Sequence, residues 1–316
     1  MKNFAFVFPG QGSQAVGMLD AWGDHPVVAQ AVREASDALG EDLGQLIREG
    51  PAEALALTTN TQPVMLLAGV AAWRVWLAEG GALPSAVAGH SLGEYSALVA
   101  SGVLTLAQAT PLVRFRAAAM QEAVPVGAGA MAAVLGLPAA RVVGVCAEVQ
   151  SSFGPGTSDV VEAVNFNEPS QTVIAGSKLA VEKACEAVKS AGAKRALPLP
   201  VSAPFHSSLM KPAAEKLREQ LAATEFGVSS IPVVNNIDVS VETDADRIRD
   251  ALYRQAFGPV RWVECVQALK ALGNTTVVEC GPRKVLTGMV KRIDPDLEAM
   301  ALFDPATLAE VRMALH

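Results

Sequence analysis

The sequence has little cysteine. Only Cys146, Cys185, Cys265 and Cys280 occur in a chain of 316 residues. No two of them form a C-x-x-C pair, which excludes the common zinc and redox motifs, and so few cysteines do not make a disulfide framework. We therefore expect four reduced, structural thiols in a cytoplasmic protein.

Aromatic residues and excess basic charge are also scarce. Aromatics make up 5% of the chain, and 32 acidic residues outnumber 25 basic ones, for a formal charge of −7. Duplex nucleic acid is bound by a basic face, and single strands by basic grooves with aromatic rings. The composition therefore argues against a nucleic-acid partner. A hydrophobic content of 51% supports a large core and excludes a disordered chain.

Long hydrophobic runs are missing as well. The uncharged stretches 54–73, 95–113 and 123–140 are each interrupted by proline and by polar residues or glycines. A membrane-spanning helix needs about 20 predominantly apolar residues in unbroken register. The N-terminus has one lysine before a short apolar run that ends at Pro9, which is not a signal-peptide pattern. We expect no membrane segment.

Short apolar runs followed by helical patterns indicate a parallel sheet with crossover helices. Phe4–Phe8 and Ala86–Gly89 are predicted strands, and Thr105 is the predicted N-cap of a helix that runs to about Ala123. After Pro125 the predicted order is strand, helix, strand, strand, helix, strand, which is typical of a ferredoxin-like unit. The sequence therefore predicts a small domain inserted into a larger α/β domain, with hinges near 127–129 and 198–204.

The strongest local signal is the G-x-S-x-G sequence Gly89–Gly93, which lies between a predicted strand and a predicted helix. A nucleophile elbow requires this context, because its turn is too tight for side chains at the glycine positions. The helix that follows offers main-chain N–H groups and a positive dipole end to a developing oxyanion. A serine that merely caps a helix is the alternative, and the context favours Ser91 as a nucleophile.

A nucleophilic serine needs a base, and histidine is the usual one. The chain has four histidines. His316 ends the sequence, His25 precedes a proline in a polar stretch, and His90 adjoins the serine at a turn that points neighbouring side chains apart. His206 is left as the candidate base, with a half-exposed loop histidine as the alternative. Spacing does not identify a third residue that would orient the imidazole.

The most informative single residue is Arg116. It falls in the middle of the apolar face of the helix that starts at Thr105, whereas Arg114 points to the opposite side. A guanidinium among apolar side chains needs an anion, and its planar fork matches a carboxylate. The alternatives are an ion pair with a protein carboxylate and a side chain that reaches water.

The segment Gly10–Ala15 satisfies the G-x-G-x-x-G/A pattern of dinucleotide-binding proteins. That interpretation also needs a second strand that ends in an acidic residue about 20 positions later. The corresponding stretch, Val32–Leu39, has a helical pattern instead. The same glycine turn could present the main-chain N–H of Gln11 to an oxyanion.

Together these motifs resemble the malonyl-CoA:acyl-carrier-protein transacylases of type II fatty acid synthesis. The resemblance covers essentially the whole chain, and it rests on Phe8–Gln14, Gly89–Tyr95, Arg116 with Met120-Gln121, Asn165–Asn167 with Gln171 and Ile174–Gly176, His206, and Asn235-Asn236. It implies an α/β-hydrolase-like large domain, residues 1–128 and 204–316, with a ferredoxin-like domain inserted at 129–203.

The resemblance also implies a role for each site residue. Ser91 would be acylated, with His206 as its base, and Arg116 would bind the free carboxylate of the malonyl group. The remaining positions act through main-chain atoms: the oxyanion hole would come from the N–H groups of Gln11 and Leu92, and the carbonyl that orients the histidine from Gln255. Phe205 resembles the pattern of malonyl-selective members, in which an aromatic side chain crowds out an α-methyl group.

The implied reaction moves a malonyl group from malonyl-CoA to the phosphopantetheine thiol of an acyl carrier protein and releases CoA. No metal or organic cofactor is implied, because CoA enters as part of a substrate. We expect a monomer that docks the acidic carrier protein through a local basic patch. The candidate patches are Lys189, Lys194 and Arg195, or Arg283, Lys284, Lys291 and Arg292.

Two other functions stay open. A hydrolase of carrier-bound acyl groups would use the same serine and histidine, but it would gain nothing from the cation of Arg116. A non-catalytic scaffold that binds carrier proteins would have no need to keep both Ser91 and His206.

Overall fold

The computed structural model describes residues 2–154, 156–201 and 203–315. The strands are β1 (Phe4–Phe8), β2 (Ala86–Gly89), β3 (Gly129–Leu135), β4 (Val161–Glu168), β5 (Gln171–Ser177), β6 (Arg195–Pro198), β7 (Val233–Val234), β8 (Thr276–Cys280) and β9 (Glu298–Leu302). The helices are α1 (Pro26–Leu39), α2 (Leu43–Glu49), α3 (Ala52–Ala56), α4 (Thr58–Ala78), α5 (Gly93–Ala100), α6 (Leu106–Glu122), α7 (Ala139–Ser152), α8 (Lys178–Ser190), α9 (Lys211–Ala223), α10 (Ala245–Phe257), α11 (Trp262–Ala271), α12 (Val285–Ile293) and α13 (Pro305–Leu315).

Five strands form a parallel sheet in the order β7-β2-β1-β8-β9. The central strand β1 is buried on both faces, so its sequence is a continuous apolar run rather than an alternating one. Phe6 packs edge-on against Trp73 and Trp76 of α4, with ring centroids 5.5 and 5.4 Å apart. Ala5 and Val7 point to the other face and share a core with Trp262 of α11.

The other four strands form an antiparallel sheet in the order β4-β5-β3-β6. With α7 and α8 between them, they confirm the predicted ferredoxin-like order. One face of this sheet packs on its own helices, where Val134 and Ile174 meet Val142. On the other face, Met131 and Val173 belong to the core of the parallel sheet. The small sheet therefore forms a wall over the large one.

Several local predictions are confirmed. Thr105 caps α6 in a capping box with Gln108: its hydroxyl accepts the Gln108 N–H at 3.1 Å, and its own N–H donates to the Gln108 side chain at 2.9 Å. Val32–Leu39 lies within α1, which excludes the strand that dinucleotide binding would need. Among the residues described, no helix combines the length and the apolar character needed to cross a membrane.

Candidate active site

The turn between β2 and α5 has the geometry of a nucleophile elbow. Ser91 has a φ of +53°, in the left-handed region that side chains rarely adopt. A Cβ atom at Gly93 would lie 2.0 Å from the carbonyl oxygen of Phe8, and one at Gly89 would lie 1.9 Å from the Gly93 backbone. Strand and helix therefore approach more closely than any residue with a side chain allows, and the serine hydroxyl is held at the tip of the turn.

The structure brings His206 to this serine. The Ser91 Oγ and the His206 Nε2 lie 2.7 Å apart, and the His206 Nδ1 lies 2.9 Å from the main-chain carbonyl oxygen of Gln255. A carbonyl only accepts hydrogen bonds, so Nδ1 carries the proton and Nε2 is free to accept the serine proton. Burial and the neighbouring charge of Arg116 lower the pKa of His206 to about 3, which keeps the imidazole neutral.

Arg116 is buried beside the same serine. Its side chain is 2% exposed, on the face of α6 that also buries Leu112 and Met120. Its Nη1 donates to the Gln62 Oε1 at 2.9 Å, and its Nη2 donates to the Gln255 Oε1 at 3.1 Å and to the Ser91 Oγ at 3.2 Å. These three acceptors are neutral.

The partners of Arg116 decide between the alternatives left open by its spacing. No carboxylate of the described residues forms an ion pair with it, and its burial excludes a side chain that reaches water. Arg114 does point the other way and pairs with Glu41, with N–O distances of 3.1 and 2.6 Å. The Arg116 guanidinium is thus a cation that is held by dipoles and still lacks an anion.

Gln11 and Leu92 flank the elbow. Gln11 follows β1, where its side-chain oxygen accepts a hydrogen bond from Gln62 at 3.3 Å, and Leu92 is the N-cap residue of α5. Neither main-chain N–H donates to another main-chain group in the described ranges. Both are therefore available to an oxygen atom at the serine.

Three further residues, to which the sequence assigned no role, form hydrogen bonds with the residues of the site. They are Gln62, Glu94 and Asn236. The Asn236 Oδ1 accepts the Ser91 N–H at 2.7 Å, and its Nδ2 donates to the Gly89 carbonyl at 2.7 Å. Glu94 is buried in the first turn of α5, and burial raises its pKa to about 7. The signal that the sequence offers for Asn236 is the polar pair Asn235-Asn236 directly after the apolar residues Val233 and Val234.

A cavity of about 210 Å³ opens at Ser91 between the two sheets. Its wall on the small-sheet side includes Met131, Asn165, Asn167 and Val173, and α12 contributes Val285, Leu286 and Met289. Phe205 also lines it and is 8% exposed. A small acyl group would be enclosed by walls from both sheets.

Among the described residues, the other two histidines are not hydrogen-bonded to Ser91, although His90 lines the same cavity. His90 points away from Ser91, as predicted: its Nε2 pairs with the Asn167 Oδ1 at 2.8 Å, and its ring packs edge-on against Trp262. The His25 ring nitrogen Nδ1 accepts the Val27 N–H at 3.3 Å and caps α1. His316 lies outside the described residues.

The chain is similar to known proteins over nearly its whole length. Residues 5–300 match a family described as the acyl transferase domain. A malonyl CoA-acyl carrier protein transacylase of Salmonella typhimurium is 54% identical over 310 residues, which is 98% of both chains. The chain belongs to the malonyl-CoA:acyl-carrier-protein transacylase family. The resemblance seen in the sequence is confirmed.

Solved structures of this family have the same fold. The acyl-carrier-protein S-malonyltransferase from Burkholderia pseudomallei 1710b is 62% identical with a TM-score of 0.95, over 98% of this chain and 99% of that one. A complex described as a type II PKS acyl-carrier protein with its malonyl-transacylase is 52% identical with a TM-score of 0.94, over 99% of both chains. The predicted α/β architecture with a second, smaller unit is therefore confirmed.

Proposed function

We propose that this transacylase family member transfers the malonyl group of malonyl-CoA to the phosphopantetheine thiol of an acyl carrier protein through a malonyl ester on Ser91. The main support for this proposal is that a nucleophile, its base and a cation without an ion-pair partner among the described residues lie in one cavity. The Ser91 oxygen lies 2.7 Å from the His206 Nε2 and 3.2 Å from the Arg116 Nη2. A ligand that is both a thioester and a carboxylate matches this set.

In the first half-reaction, the Ser91 Oγ attacks the thioester carbon while His206 takes the hydroxyl proton at Nε2. The tetrahedral oxyanion accepts hydrogen bonds from the main-chain N–H groups of Gln11 and Leu92. The carbon–sulfur bond then breaks, and His206 returns the proton to the CoA sulfur. The Gln255 carbonyl keeps the imidazole oriented through the Nδ1–H bond.

The second half-reaction runs the same steps with a different thiol. His206 takes the proton of the phosphopantetheine thiol, whose sulfur attacks the malonyl ester. The ester bond breaks and the proton returns to the Ser91 oxygen. Because the base is neutral at both starting points, one histidine serves both directions.

Acyl choice depends on Arg116 and Phe205 in this proposal. A malonyl carboxylate supplies the anion that the buried guanidinium lacks, and a bidentate pair fits the planar fork. Phe205 precedes the base and lines the cavity, where its ring narrows the space beside the acyl α-carbon. The function thus extends to a preference for malonyl over acetyl and α-methylated groups.

Intact-mass spectrometry after brief exposure to malonyl-CoA tests the reaction. The expected result is one malonyl adduct on the wild-type protein and none on Ser91→Ala. Transfer of that adduct to a carrier protein with a phosphopantetheine thiol would complete the cycle. Release of free malonate with no transfer would instead indicate a hydrolase, and an adduct that persists in Ser91→Ala would place the nucleophile elsewhere.

Carrier docking is assigned to the cluster Arg283, Lys284, Lys291 and Arg292 rather than to Lys189, Lys194 and Arg195. The supporting observation is that the first cluster brackets Val285, Leu286 and Met289 of α12, which line the cavity. Charge reversal at Lys284 and Lys291 should raise the KM for carrier protein and leave Ser91 acylation by malonyl-CoA unchanged. The same reversal at Lys189 and Lys194 is the matched control, and an equal effect there would contradict the assignment.

We also propose a domain division, a reducing location and an oligomeric state for this protein. The division into 1–128 with 204–316 and an inserted 129–203 is supported by the two separate sheets. The four cysteines are free thiols, which fits the reducing cytoplasm. A monomer is expected, and light scattering across a concentration series would detect a dimer.

A further inference from the structure

A buried carboxylate that the proposed reaction does not use lies directly behind the nucleophile. The Glu94 side chain is 2% exposed in the first turn of α5. Its Oε2 accepts two hydrogen bonds, from the main-chain N–H of Asn236 at 2.8 Å and from the side-chain amide of Gln255 at 3.0 Å. Burial of a carboxylate costs free energy even when hydrogen bonds stabilise it, so its position behind the nucleophile calls for an explanation.

The two donors to Glu94 are the residues that hold the reactive groups. The Asn236 Oδ1 accepts the Ser91 N–H at 2.7 Å. The Gln255 Nε2 also donates to the Ser91 carbonyl at 3.0 Å, its main-chain carbonyl accepts from His206 at 2.9 Å, and its Oε1 accepts from Arg116 at 3.1 Å. One carboxylate oxygen is therefore linked through a single glutamine to the base and to the cation.

The chemistry of these groups fixes the orientation of the Gln255 amide. An ionised carboxylate only accepts hydrogen bonds and a guanidinium only donates them. The amide satisfies both when its NH₂ group faces Glu94 and its oxygen faces Arg116. With the amide reversed, oxygen would face oxygen at Glu94 and at the Ser91 carbonyl, and N–H would face N–H at Arg116. All three groups therefore favour the arrangement observed, and Glu94 adds a negative charge on the side of the NH₂ group.

We propose that Glu94 is a positioning residue that acts through Gln255, holding its amide so that the amide oxygen receives Arg116 and aims the cation at the acyl carboxylate. This inference rests on the proposed function and deepens it, since the property it controls is the preference for a carboxylated acyl group.

The test compares the rates at which Ser91 is acylated by malonyl-CoA and by acetyl-CoA, followed by intact mass. The variants are Glu94→Gln, Gln255→Met and the double variant. Each single change should lower the malonyl-to-acetyl ratio about tenfold, the effect of one hydrogen bond to a charged group. If Glu94 acts through Gln255, the double variant should be no lower than Gln255→Met. An unchanged ratio in Glu94→Gln, or multiplied losses in the double variant, would overturn the proposal.

Glu279→Gln is the matched control. Glu279 is a fully buried carboxylate that accepts hydrogen bonds from the Val285 N–H at 3.1 Å and the Thr287 N–H at 2.7 Å, at the start of α12. Its loss should lower thermal stability and leave the malonyl-to-acetyl ratio unchanged. An equal fall in the ratio would show that loss of any buried carboxylate has this effect, and would overturn the proposal.

If Glu94→Gln does not fold, the pH dependence of the ratio gives a second test. The charged and titratable groups that face Glu94 are Arg116, Tyr95, Asp238, Cys265 and, across a small cavity, Glu242. Because Glu94 has a pKa of about 7, the ratio in the wild type should fall as the pH is lowered through that value. In Gln255→Met the malonyl-to-acetyl ratio should not change with pH. The same pH dependence in the wild type and in Gln255→Met would overturn the proposal.

Failure of the proposed reaction and failure of the role of Glu94 give different results. Absence of any malonyl adduct on the wild-type protein would remove the proposed function and this inference with it. A wild type that is acylated on Ser91 with a malonyl preference, together with an unaltered ratio in Glu94→Gln, would remove only the role of Glu94.

Discussion

Replacement of Arg116 by alanine should reverse the acyl preference of the protein. The guanidinium is buried, is held by the neutral acceptors Gln62 and Gln255, and has no ion pair with a described carboxylate. A malonyl carboxylate would therefore lose two charge-assisted hydrogen bonds in Arg116→Ala. At about 1.5–3 kcal/mol each, the loss is about 3–6 kcal/mol, or roughly 150- to 25,000-fold in kcat/KM for malonyl-CoA.

Acetyl-CoA reports the opposite change, because its methyl group gains nothing from a buried cation. We expect acetylation of Ser91 to be unchanged or faster in Arg116→Ala, measured as the rate of adduct formation by intact mass. Arg114→Ala is the control, since that side chain pairs with Glu41 on the opposite side of the same helix. A malonyl-to-acetyl ratio equal to that of the wild type in Arg116→Ala would refute the carboxylate-binding role.

Three other predictions follow from the site and its frame. His206→Ala should slow Ser91 acylation roughly 100- to 10,000-fold in rapid-quench mass spectrometry, the range for loss of a general base, and an unchanged rate would exclude it as the base. Since burial raises the pKa of Glu94 from 4.5 to about 7, the folded state binds this proton more tightly than the unfolded state. The free energy of unfolding of the wild type relative to Glu94→Gln should therefore fall by about 3 kcal/mol as the pH rises from below 4.5 to above 7. Denaturant titrations of both proteins at the two ends of this pH range measure the difference, and a difference that does not change with pH would contradict the prediction. Gly93→Ala should destabilise the protein by about 3 kcal/mol or more in such titrations, because its Cβ would lie 2.0 Å from a carbonyl oxygen. Gly144→Ala is the control: this glycine lies in the open interior of α7, and the substitution should stabilise the protein by roughly 0.5–1 kcal/mol. Equal effects of the two substitutions would contradict this explanation.

The fold was predictable where one local signal dominates. β1 and β2 have the predicted bounds because buried parallel strands are apolar runs that end at glycine turns. α4 begins at Thr58 without a side-chain cap, so no local signal in the sequence marks where this helix starts. β7 is confined to Val233–Val234, because Pro232 before it has no N–H to donate and Asn236 after it turns toward the elbow, where its Oδ1 accepts the Ser91 N–H.

The site was only partly predictable for a physical reason. Ser91 has a local signature in its glycines, and Arg116 is conspicuous as a charge in an apolar stripe. The histidine partner is a main-chain carbonyl, which every residue has, so only the family resemblance pointed to Gln255. Glu94 and Asn236 act through contacts between distant segments, and no spacing rule within one helix or strand reports such contacts.

The distances along the chain between the site residues have a consequence for folding. The hydrogen bonds at Ser91 and His206 join residues 115, 49 and 145 positions apart. Closing such long loops costs chain entropy, so we expect these contacts to form late. The segment between serine and histidine includes the whole small sheet, and we therefore expect the nucleophile and its base to meet only after that sheet is in place. Recovery of Ser91 acylation after dilution from denaturant therefore marks the completion of folding rather than its onset.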